Sequence, residues 1–133
     1  MKKLIFILCM ALMPALSFAQ YANTDNDTSL KPKMEFETEV IDYGTIKHNA
    51  DGVRFFKFEN TGSAPLIIKS VKGSCGCTVP TKPEKPIMPG EVGEIKVKYA
   101  TNRVGRFTKT VTIVSNASEH PKVVKIKGEV LKD

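Results

Sequence analysis

Residues 94–100, EIKVKYA, alternate without a fault: Ile95, Val97 and Tyr99 fall on one phase, Lys96 and Lys98 on the other. A period of two marks a strand with one face in a core and the other in water. The strand's start is set by Pro89-Gly90, which suits a type II turn because proline supplies the first φ and glycine accepts the positive second one.

The same texture extends in both directions. Upstream, residues 36–43 form a first run and residues 53–59 (VRFFKFE) a second. The second is entered through Asp51-Gly52, a hairpin-type dipeptide, and left through Asn60-Thr61-Gly62. Residues 66–72 (LIIKSVK) form a third run, preceded by Pro65, which fits only a strand start or an edge. Downstream, residues 107–115 set Phe107, Val111 and Ile113 against Thr108, Thr110 and Thr112. Residues 123–130 place Val124, Ile126 and Val130 inward, with Gly128 on the same face. The core is therefore assigned to Phe55, Phe56, Phe58, Leu66, Ile68, Ile95, Val97, Phe107, Val111, Ile113 and Ile126. Lys109 falls on the inward phase, which calls for a bulge or a solvated end of that face. No helical period competes, and turn signals recur about every 8 to 12 residues. The expectation is an all-β chain, an immunoglobulin-like antiparallel β-sandwich of about seven strands over residues 35–133.

The first nineteen residues read as an export signal: Lys2 and Lys3, an apolar run to about Leu16, then Ser17-Phe18-Ala19 ahead of Gln20. A retained anchor is the alternative, although the run falls short of the roughly 20 residues a spanning helix needs. Cys9 lies inside the apolar run and leaves with it. Cleavage leaves 114 of 133 residues and lowers the formal charge from +6 to +4. Residues 20–34 are polar, without an apolar period, and read as a flexible tether. The expected location is the periplasm or the cell exterior, with no membrane span after cleavage. The basic residues are scattered and not interleaved with aromatics, so nucleic acid is not an expected partner. The sequons at Asn26 and Asn116 are too short a signal to carry a function.

Catalytic constellations are mostly absent. His48 and His120 fall beside turn residues, where exposure is the ordinary fate of a histidine, and no nucleophile elbow, HExxH helix or phosphate loop occurs. The carboxylates Glu35, Glu37, Glu39, Glu59, Glu91, Glu94 and Glu129 lie on polar strand phases or next to turns. What remains is residues 73–80, GSCGCTVP, which hold Cys75 and Cys77 in a loop formed with Gly73, Ser74, Gly76 and Thr78 and leading into the proline-rich passage 80–89.

Gly-Ser-Cys at residues 73–75 has a superficial likeness to a cysteine-protease nucleophile, but the preceding cysteine and following aromatic of that pattern are lacking. Two residues apart on an extended chain, Cα atoms lie about 6.6 to 7 Å apart, at or beyond a disulfide's reach. A bridge therefore needs a bent backbone, and Gly76 can supply one through φ values closed to other residues. Such a bridge, a redox pair whose thiolate Lys72 would favour, two ligands for a soft ion such as copper(I), and free or intermolecular cysteines all remain open. A closed zinc site needs four ligands, and only two cluster here, so no cofactor or metal is expected.

The strings Asp42-Tyr43-Gly44-Thr45-Ile46, Phe58-Glu59-Asn60-Thr61-Gly62, Ala64-Pro65-Leu66-Ile67-Ile68, Ser74-Cys75-Gly76-Cys77-Thr78, Pro89-Gly90-Glu91 and Ser115-Asn116 occur in this order over residues 36–131. Together they resemble the bacterial domain-of-unknown-function family fifteen seventy-three. The resemblance implies an exported Ig-like sandwich, similar to Hydin-like and major sperm protein domains, which are scaffolding and interaction modules. It also implies that the Cys-Gly-Cys element belongs to the family pattern. The expected function is a non-enzymatic binding or scaffolding module for an envelope protein or polysaccharide. A thiol redox or soft-metal-handling protein built on Cys75 and Cys77 is the alternative.

Overall fold

The computed structural model describes residues 30–133. The signal segment and most of the tether lie outside this range. Eight strands follow in order: β1 Met34–Phe36, β2 Val40–Ile46, β3 Val53–Asn60, β4 Ile68–Gly73, β5 Thr78–Thr81, β6 Val92–Tyr99, β7 Gly105–Ser115 and β8 Lys122–Val130. They form two four-stranded sheets, sheet A in the order β1-β3-β6-β5 and sheet B in the order β2-β8-β7-β4. The chain is an Ig-like β-sandwich, and among the described residues it holds no helix long and apolar enough to cross a membrane.

Three expectations about the strand layout are corrected. The run at 36–43 is two strands, β1 on β3 in sheet A and β2 on β8 in sheet B, because the chain changes sheets between Phe36 and Val40. With β5, this brings the six runs read from the sequence to eight strands. The β2–β8 pair is parallel, so the sandwich is not wholly antiparallel. The loop expected at 73–80 contains β5, which pairs Pro80 with Val97 of β6. Proline is tolerated there because β5 is an edge strand, whose outward side needs no N–H donor.

Alternation in β6 is as read: Gly93, Ile95, Val97 and Tyr99 are buried and the intervening residues exposed. The turn ahead of it closes with Glu91 N–H donating to Met88 O at 2.9 Å, and Gly90 holds φ +82°, as a type II turn requires. Phe56 and Phe58 of β3 point into the core, each contributing roughly 1.5–3 kcal/mol by burial. Phe55 does not. It is 47% exposed on the outer face of sheet A, because neighbours on a strand face opposite ways and Phe56 holds the inner side. The other assigned core residues are buried. Lys109 sits half-buried opposite Ile126 in an unbroken β7–β8 ladder, so there is no bulge at that position.

Asp51-Gly52 makes no hairpin, since β2 and β3 lie in different sheets. Instead Asp51 Oδ1 accepts from Val53 N–H, and Gly52 O receives both the Tyr43 hydroxyl (2.7 Å) and Tyr99 N–H (3.0 Å). At the opposite end of β3, Asn60 is wholly buried with every amide valence used. Its Oδ1 accepts from Lys33 and Gly62 N–H, and its Nδ2 donates to Ala64 O and Ile87 O. β1 begins at Met34, one residue ahead of the expected domain boundary. Lys31 and Lys33 carbonyls already accept from Ser63 and Thr61.

Candidate functional site

The segment from Ser74 to Cys77 carries the chain from β4 in sheet B to β5 in sheet A. Its first half is tied to sheet B, with Ser74 N–H donating to Thr110 O at 2.9 Å and Thr110 N–H to Ser74 Oγ at 3.1 Å. Its second half is tied to sheet A, where Ala100 N–H donates to Cys77 O at 2.8 Å. Between these anchors the chain turns over Cys75–Thr78, closed by Thr78 N–H donating to Cys75 O at 3.2 Å. Cys75 and Cys77 form a disulfide within that turn, with Cα atoms 5.3 Å apart, inside the range that the extended chain overshoots.

The glycines divide the work differently from expectation. Gly76 has no positive φ, and a Cβ built on it would meet nothing within 4 Å. The bend is an ordinary β-turn open to any residue, so the bridge does not depend on glycine's freedom at 76. The glycine that packing demands is Gly73, where a Cβ would lie 2.1 Å from Thr78 O. That contact is between backbones as the chain doubles back, and no rotamer change relieves it.

The bridge stands at one end of the sandwich, beside the β6–β7 loop. A shallow open cleft of about 500 Å³ lies before it, lined by Cys75, Gly76, Cys77, Ala100, Asn102 and Arg103. Cys75 is half-buried and packs against the core edge, whereas Cys77 is only 6% exposed. Thr78, 2% exposed, sets its hydroxyl 3.8 Å from Cys77 Sγ and 4.0 Å from Cys75 Sγ. The structure thus gathers Gly73, Ser74, Cys75, Gly76, Cys77 and Thr78 into one element. Lys72 sits on an exposed strand position opposite Thr112, and the cation lining the cleft is Arg103. Arg103 was not legible as a site residue, because it comes from a loop remote in sequence.

The bridge encloses too few residues to be a strong staple. The chain-entropy expression for a three-residue loop gives about 1.6 kcal/mol before strain is subtracted. Bridged sulfurs also lack the thiolate charge that a soft ion requires, so a metal role needs the reduced pair. Among the described residues no group of three or more His, Cys, Asp or Glu side chains comes together.

Behind the loop end lies an aromatic cluster. Tyr99 stacks on Phe107 with centroids 3.8 Å apart, Tyr43 meets Phe107 edge-on at 5.3 Å, and the Arg54 guanidinium lies 4.3 Å from the Tyr43 ring centre. Burial pushes the Tyr43 phenol up to about 12; Arg54 opposes the rise and Asp51 adds to it. His48 is held rather than free in solvent: Nδ1 is 2.8 Å from Asp133 Oδ2 and Nε2 3.2 Å from Asn102 O.

The pattern that defines the family described as "Protein of unknown function (DUF1573)" matches residues 34–130, nearly all of the described chain. The chain belongs to this family. Among solved structures it is similar to a protein of unknown function from Porphyromonas gingivalis W83, at 17% identity and TM-score 0.65, over 75% of this chain and 47% of that one. It thus spans about half of that relative. It is also similar to the ASH/PapD-like domain 7 of human CEP192 (11% identity, TM-score 0.57, 76% of this chain and 87% of that one). A third likeness is to the CsuC-CsuE chaperone and tip-adhesion-subunit complex of Acinetobacter baumannii (11%, TM-score 0.56, 74% and 57%). At these identities the likeness shows the fold alone: this DUF1573 chain is an Ig-like β-sandwich. None of the curated proteins matches it.

Proposed function

We propose that this DUF1573 protein is an exported, non-enzymatic binding module that docks an acidic partner on the outer face of sheet A. The observation that carries the reading is the displaced Phe55. Its ring stands opposite Lys96, and the next row across the sheet is Val53, Lys98 and Val79. Phe55 and Val79 are 47% and 55% exposed, and Lys96 and Lys98 are exposed beside them. Lys57 pairs across the strands with Glu94, but Lys96 and Lys98 face apolar or neutral cross-strand partners. An aromatic ring and uncompensated lysines on one sheet face favour a partner with both acidic and apolar groups.

An envelope protein with an acidic surface is the preferred partner. Support for the binding role also comes from the PapD-like neighbours, one of which is a chaperone in complex with an adhesion subunit. The test is capture from envelope extracts with the wild-type chain and with a Phe55→Ser, Lys96→Glu, Lys98→Glu variant. The wild type is expected to retain an acidic protein that the variant loses. Equal recovery by both overturns the docking face, and selective retention of polysaccharide alone replaces the protein partner. Export is checked by terminal sequencing of the envelope fraction, where the mature chain is expected to begin at Gln20.

A further inference from the structure

We propose that the Cys75–Cys77 disulfide is a thiol–disulfide exchange site that accepts two electrons from the paired thiols of another protein, with Cys75 as the attacked sulfur. This activity does not depend on the docking face of sheet A.

Three features of the loop support exchange rather than stapling. Both cysteines line the open cleft, and Cys75, half-buried, is the more accessible of the two, Cys77 being only 6% exposed. An incoming thiolate therefore meets Cys75 Sγ, and Arg103 in the same cleft favours its negative charge. Cys77, the sulfur that must leave, has the buried Thr78 hydroxyl 3.8 Å away, placed to donate to a thiolate. Finally, the loop is held on both sides without the bridge, by the bonds of Ser74 to Thr110 and of Ala100 to Cys77 O. Opening the disulfide leaves these anchors in place.

The balance is that of ordinary exchange. The partner's first thiolate attacks Cys75 Sγ, the Cys75–Cys77 bond breaks, and Cys77 departs with the electron pair and is then protonated. The partner's second thiolate attacks its own sulfur in the mixed disulfide and releases Cys75 as a thiolate, which takes up a proton. The products are a reduced Cys75/Cys77 pair and a disulfide in the partner; the two protons come from the partner's thiols.

The test uses the purified chain with a synthetic dithiol peptide and an alkylating reagent under native conditions, read by mass spectrometry alongside circular dichroism. Expected are fast alkylation of Cys75 and slower alkylation of Cys77 after peptide treatment, stoichiometric peptide oxidation, and an unchanged β-sheet spectrum. With oxidised glutathione, Cys77→Ser is expected to form the mixed disulfide at Cys75 roughly tenfold faster than Cys75→Ser does at Cys77, reflecting their different access. Arg103→Glu is expected to slow peptide attack about threefold, the scale of an exposed charge effect. A bridge that resists the dithiol peptide, or that opens only when the sheet signal is lost, overturns the proposal. Equal rates for the two serine variants overturn Cys75 as the attacked sulfur.

Discussion

The two ends of the sandwich hold their chain crossings by opposite means. At one end Asn60, wholly buried, ties β3 to the segments at Lys33, Gly62, Ala64 and Ile87 through four hydrogen bonds, beside the bridge between Leu66 and Ile87. At the other, a covalent bridge sits in a turn that backbone hydrogen bonds already define, with Cys75 half-buried and Cys77 buried. The covalent end is the weaker structurally. Buried polar groups lose heavily when a partner is removed, whereas a three-residue loop had little chain entropy to lose. A covalent bond that contributes little stability is consistent with the exchange role proposed for it.

Unfolding experiments can break this comparison. Asn60→Ala is expected to cost the most, about 3 kcal/mol in urea denaturation, because it removes the partner of two N–H donors and of Ala64 O, while Ile87 O keeps Leu66 N–H. Gly73→Ala follows at about 2–3 kcal/mol, since its Cβ must displace the Thr78 backbone. The Cys75→Ala, Cys77→Ala double variant is expected to lose about 1.6 kcal/mol or less. A larger loss than that of Asn60→Ala would reverse the ranking of the two ends.

Tyr43→Phe is expected to cost about 1 kcal/mol, because Gly52 O keeps its second donor, Tyr99 N–H. The same variant tests pH dependence. With the folded phenol raised to about 12 from 10.0, the native state holds its proton while the unfolded state releases it. Stability from this group is therefore full below pH 10 and falls as pH rises from 10 towards 12. Thermal melts should show the decline flattened in Tyr43→Phe. Gly76→Ala is expected to move stability by only a few tenths of a kcal/mol, as its Cβ enters open space.

Much of this was legible in the chain. Alternation in residues 94–100 placed Ile95, Val97 and Tyr99 inward, and Pro89-Gly90 announced its turn. Two signals were present but needed the phase to be followed further. Counting by twos from Phe56 and Phe58 puts Asn60 inside and Phe55 outside, which separates a core hub and a surface aromatic from the residues beside them. Other features left no local mark. Nothing in residues 36–43 says that one run serves two sheets. Pro80 read as loop because its tolerance in β5 depends on where the sheet ends.

The sequence by itself determined that this chain is a sandwich and that Cys75 and Cys77 stand in a turn with one residue between them. Side-chain alternation and turn residues are local properties, written within a few positions of each other. Tertiary structure alone decided the parallel pairing of β2 with β8, the place of the cysteine turn at a crossing between sheets, and the arrival of Arg103 in the cleft beside it. Those depend on which strands become neighbours, and a strand's own pattern specifies the face it buries but not the strand it joins.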